Sequence, residues 1–145
     1  MKRINRFIIF AIVIIAVLFS FCGCESAGFK QDDFEIKLIS VEVDGNKVTV
    51  QTEFKNKSYR NGLVFSGDPL IEIYCNDENG ESQWVYSSIG RNYWIICKQK
   101  RTKTDVFELE EGIYTIQAYV SLSCNNGKDL LSYSTETVTI EIKNL

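Results

Sequence analysis

The chain has 145 residues, with 16 Lys and Arg against 19 Asp and Glu, a net charge of −3 and no histidine. This mild acidity argues against a nucleic-acid partner, because such affinity comes largely from cations that neutralise phosphates. Without histidine there is no Ser-His-Asp or Cys-His catalysis, and the commonest zinc ligand is missing.

Met1 to Arg6 carries Lys2, Arg3 and Arg6 with no acidic residue, and Phe7 to Phe21 is apolar apart from Ser20. A basic start, an apolar run of about fifteen residues and small residues after it make up a secretory signal. Crossing a bilayer permanently takes roughly twenty apolar residues. Val17 and Leu18 precede the pair Gly23-Cys24, with Cys22 just before them. This stretch resembles the lipobox of bacterial lipoproteins. The resemblance implies cleavage after residue 23, a diacylglyceryl group on Cys24, and loss of Cys22 with the signal. Two acyl chains give a stable membrane anchor where one gives only marginal affinity. The expected location is therefore the extracytoplasmic face of the cell membrane.

Cleavage there leaves 122 residues with 19 acidic and 13 basic side chains, a net charge of −6. That length suits one domain, which buries roughly two-thirds of its unfolded surface. The division is thus a signal helix over 1–23, a lipidated cysteine and polar spacer over 24–33, and a folded domain over 34–145.

Within that domain every segment alternates with period two, and no stretch shows helical spacing. In "FEIKLISVEV" Phe34, Ile36 and Leu38 share one parity and Val41 and Val43 the other, so a bulge is expected between Leu38 and Ser40. Asp44-Gly45 reads as a hairpin turn. Val48, Val50, Thr52 and Phe54 then point one way. "NKSYRNGLVFSGDP" reads as a loop-rich passage. "LIEIYC" sends Ile71, Ile73 and Cys75 inward, "NDENGE" is a polar turn, and "QWVYSS" and "YWIICK" read as two short strands around Ile89 to Asn92. Next, Tyr114, Ile116, Ala118, Val120 and Leu122 share a face, and Val138, Ile140 and Ile142 point inward on a last strand. Seven to eight short strands at this spacing define an all-β chain, a sandwich or a barrel.

The stretch "FELEEGIYTIQAYV" favours the sandwich. Leu109, then Gly112, then Tyr114 at the head of an alternating strand resembles the tyrosine corner of immunoglobulin-like domains. The resemblance implies an immunoglobulin-like antiparallel β-sandwich in which the Tyr114 hydroxyl bonds to backbone just upstream. Ile116 stands where antibody domains place a cysteine, so their inter-sheet disulfide is not implied. Val48 to Val120 also looks like lipid-anchored immunoglobulin-like domains of bacteria. With "FKNKS" at 54–58 it is similar to the bacterial intracellular proteinase inhibitor domain as well.

Cys75 and Cys124 share inward parity but end antiparallel neighbouring strands, so they are expected at opposite ends of the sheet and unbonded. Pairing of Cys97 with either stays open. "NDENGE" lacks the third ligand and the terminal Glu of a calcium loop. The run "KQKRTK", with Lys98, Lys100, Arg101 and Lys103, suits anionic headgroups or wall polymers, or a charged edge strand that discourages aggregation. Trp84, Tyr86, Tyr93 and Trp94 form a candidate aromatic contact surface beside it, with one Trp expected to be buried. Glu108 and Glu110 sit two apart on one strand with no implied cleft, and no cofactor motif appears. The expectation is a lipid-anchored binding or assembly module without catalysis. Its partners would be the membrane, through Cys24, and a protein or cell-wall polymer. An alternative is an inhibitor of an extracellular hydrolase acting through a protruding loop at Ser58 to Pro69 or Ile89 to Asn92.

Overall fold

A computed structural model describes residues 28–82 and 90–143. They form nine strands: β1 (Phe34–Asp44), β2 (Lys47–Asn56), β3 (Gly62–Gly67), β4 (Glu72–Asn76), β5 (Gly90–Ile95), β6 (Lys100–Glu108), β7 (Gly112–Cys124), β8 (Asp129–Ser134) and β9 (Val138–Ile142). All pairings are antiparallel, in a three-stranded sheet β1-β2-β6 and a second sheet centred on β7. The chain is an all-β sandwich. Among the described residues no helix is long and apolar enough to cross a membrane.

The nine strands occupy seven lines. β4 and β8 both pair with Tyr119, and β4 and β9 both pair with Thr115 and Ile116, so β8 and β9 flank β7 on the side away from β4. They form one line interrupted at Thr135, whose backbone N–H donates to Ala118 O and whose hydroxyl accepts from Ala118 N–H. β3 and β4 form another, interrupted around a cis peptide at Pro69.

Alternation fixes the core. Val48, Val50, Thr52 and Phe54 of β2 are buried, as are Tyr114, Ile116, Ala118, Val120, Leu122 and Cys124 of β7. The register of β1 slips between Leu38 and Ser40, where the change of phase demands it. Gly45 has φ 59°, the left-handed conformation that a two-residue hairpin loop asks of its first position. Every buried apolar residue described lies between Phe29 and Ile142.

Four sequence readings need correction. The polar spacer ends before Phe29, which is buried with its ring 4.8 Å from Phe34. Residues 62–67, read as loop, form β3, because Val64 and Ser66 turn inward between two glycines. The strand in "YWIICK" runs instead from Gly90 to Ile95 and leaves Ile96 and Cys97 in a turn. β8 adds a strand that the alternation does not reveal, since its Leu130 is exposed. The segment "QWVYSS" lies outside the described residues.

Cys75 pairs with Ile116, eight residues before Cys124 on the same strand, so the two thiols stand about 26 Å apart at 3.3 Å per residue. Cys75, Cys97 and Cys124 are all free. Burial pushes the Cys75 and Cys124 thiols up to about 11, which keeps them protonated and unreactive at neutral pH.

The sandwich has two chemically different ends. The entry end, where residue 28 joins, is made by 28–33, 57–61, 96–99 and 125–128. Lys57 N–H donates to Asp33 O, Lys98 N–H to Ser58 O, and Gln31 Nε2 to Ser132 O. The far end is made by 45–46, 77–82, 109–111 and the end of β9, with Leu109 N–H donating to Asn46 O.

Candidate functional site

The described residues of the expected contact surface do not share one face. Trp84 and Tyr86 lie outside the described residues, as does Cys24. Tyr93 and Trp94 are neighbours on β5, so alternation sends them to opposite faces. Tyr93 pairs with inward Val64 and is partly buried, whereas Trp94 pairs with outward Leu63.

Tyr93 is held by polar and cationic neighbours. Its hydroxyl donates to Asp68 Oδ1 at 2.9 Å, and Arg91 reaches Asp68 Oδ2 at 3.5 Å. The guanidinium groups of Arg101 and Arg91 lie 5.6 and 5.9 Å from the ring centroid, within cation–π range. Burial, then the Asp68 carboxylate, pushes the Tyr93 phenol up to about 12. Arg101 Nη2 also donates to Trp94 O at 3.0 Å, tying β6 to β5 across the sheets.

Among the described residues β6 is one of the two edges of the first sheet, and its inward positions are Arg101, Lys103, Asp105 and Phe107, opposite Phe54, Thr52, Val50 and Val48. Lys103 and Asp105 pair at 2.5 Å. Inward charges on an edge strand block addition of another strand, since a second chain would bury them. Of the basic run, Arg101 and Lys103 stand among these inward positions, opposite Phe54 and Thr52. Lys100 is paired with Glu53 at 3.0 Å, and Lys98, at φ 56° in the turn before β6, sits 3.9 Å from the Tyr59 ring centroid.

At the corner, Leu109 and Tyr114 are buried, and Gly112 packs close to the Tyr114 ring. Burial raises the Tyr114 pKa, and the backbone of Glu110, four residues upstream, acts weakly in the opposite direction. These residues lie at the crossing from β6 to β7. In "NDENGE" the Asp77 carboxylate accepts from the N–H groups of Asn79 and Glu81 at 2.9 and 2.8 Å, so it closes its own turn.

The feature that sequence reasoning missed is the outer face of the second sheet along β3 and β5. Leu63, Phe65 and Trp94 are 56, 51 and 48% exposed there. Leu63 is paired with Trp94, and Phe65 lies two residues along on the same face. The Phe65 ring covers Gly90, where a Cβ would fall 2.0 Å from it. Glycine here makes room for the ring. Leu130 continues the row of Asn92, Phe65 and Ser123. Solvent-facing positions of a sandwich strand are usually polar, so this apolar group departs from the usual pattern. The available signal was the alternation of Leu63 and Phe65 between Gly62 and Gly67.

No family model matches the chain, and no curated relative does. Among solved structures with a similar fold, structural-genomics target SoR45 shares 10% identity over 79% of this chain and 90% of its own, with a TM-score of 0.51. The CARDB domain of a Pyrococcus furiosus protein shares 14% identity over 76% of this chain and 94% of its own, at 0.49. An ApaA protein from Bordetella pertussis shares 12% over 75% and 89%, at 0.47. At these identities the likeness concerns fold alone: this is a small β-rich sandwich domain.

Proposed function

We propose that this protein is a lipid-anchored, extracytoplasmic binding module without catalytic activity, which engages a protein partner across the outer face of β3 and β5. The observation that carries the reading is the group Leu63, Phe65 and Trp94, three large apolar side chains each about half exposed on one sheet face. Trp is among the residues that most often dominate contact energies. β5 is also an edge: among the described residues it pairs only with β3. The inhibitor alternative would act through Ser58 to Pro69 or Ile89 to Asn92, of which Gly62–Gly67 and residues 90–92 lie in strands.

Two measurements test this. Affinity capture from native membranes with the 25–145 chain is expected to recover a partner that the combined Leu63→Ser, Phe65→Ser, Trp94→Ser variant does not. Equal capture by both would end the reading of this face. For the anchor, labelled palmitate is expected to enter the full chain and to be absent from Cys24→Ser. Equal labelling of the two would remove the lipid from the account.

A further inference from the structure

The connections at the two ends of the sandwich sort by charge. Those at the entry end carry Lys30, Lys57, Arg60, Lys98 and Lys128 against Asp32 and Asp33, a net of +3. Those at the far end carry Asp77, Glu78, Glu81, Glu110 and Glu111 against Lys143, a net of −4. The whole chain is acidic, so the positive end is local and set by the fold.

Several entry-end cations are engaged. Arg60 donates to Gly28 O and lies 3.5 Å from Asp33, while Lys98 reaches Lys57 O and the Tyr59 ring. Lys30, Lys57 and Lys128 are exposed and, among the described residues, have no carboxylate within ion-pair distance. Beside them Tyr59 is 84% exposed and Leu130 71%. Exposed cations next to an aromatic and an aliphatic side chain suit the headgroup layer of a bilayer, where lysine meets phosphate and tyrosine sits at the boundary.

We infer that the entry end is a docking surface for an anionic lipid bilayer, holding the sandwich upright with its acidic end outward. The path of the chain agrees. Residue 28 emerges at this end, and the four residues from Cys24 span at most about 14 Å. The inference rests on the anchor reading for orientation only. The charge sorting stands without it. A tether supplies a high effective concentration, so weak headgroup contacts suffice to orient the domain.

The test uses the unlipidated 25–145 chain, which contains the whole described core, sedimented with vesicles of phosphatidylcholine alone or mixed with phosphatidylglycerol. At low ionic strength the chain is expected to partition to the phosphatidylglycerol vesicles and to leave them as salt rises. Removing Lys30, Lys57 and Lys128 together (each to Gln) is expected to weaken this by on the order of a hundredfold, about fivefold per cation. Replacing Lys47 and Lys143 at the far end by Gln should leave it nearly unchanged. Equal partition to both vesicles, or equal loss from either set of substitutions, overturns the inference. Neither outcome depends on the lipid at Cys24 or on the partner face, so failure here is distinguishable from failure of those readings.

Discussion

Truncation of Phe54 to alanine is expected to lower the unfolding free energy by about 4 kcal/mol, the usual cost of deleting a buried aromatic ring. Phe54 is 1% exposed and stacks on Phe34 at 5.3 Å, and Phe34 in turn meets Phe29 and Tyr133 at 4.8 and 5.8 Å. The ring thus joins the first sheet, the entry segment and β8. A cavity there cannot collapse easily, because backbone pairings of β2 with both β1 and β6 hold its walls apart. Urea denaturation gives the measurement: the midpoint should fall at unchanged slope. Phe54→Leu, which keeps most of the volume, should cost less than about 1.5 kcal/mol. A loss below about 1 kcal/mol for the alanine variant would contradict a packed ring at this position.

Asn56→Ala is expected to cost about 3 kcal/mol, from loss of a buried amide that satisfies several polar groups at once. Its Nδ2 donates to Arg60 O and Ile96 O at 2.9 and 3.0 Å, and its Oδ1 accepts from Ser58 N–H and Ser58 Oγ at 2.9 and 2.8 Å. The residue is fully buried. It ties the 57–61 connection to the 96–99 connection, and so shapes the basic entry end. Besides the stability loss, amide exchange in both connections should accelerate, since each loses its shared anchor. Protection unchanged in 96–99 would show that the two connections are held independently. This network also gives the tripeptide Asn56-Lys57-Ser58 a physical role: Asn and Ser bond to each other while Lys faces water.

These two residues show what local pattern can and cannot say. Phe54 was legible as inward because side chains on extended backbone alternate, and the same rule placed Val48, Ile73, Ile116 and Ile142. Asn56 shares that parity, but its partners lie 4 and 40 residues away, and nothing in local sequence names Ile96 O. The bulge after Leu38 was legible because a paired strand changes phase by inserting one residue, which is what a bulge does. β3 was not, because its outward Leu63 and Phe65 and its inward Ser66 invert the usual pattern.

By itself, then, the sequence determined the all-β class, the inward residues of β2, β4, β7 and β9, the β1–β2 turn and the separation of Cys75 from Cys124. Each follows from period-two geometry and turn chemistry, which act within a few residues. Only the tertiary structure decided that Tyr93 and Trp94 part company and that β6 is an edge with charges turned inward. It also set Leu63 beside Trp94 and gathered lysines from four distant connections at one end. Those outcomes depend on which strands pair and in what register, a balance over the whole core that no single segment carries.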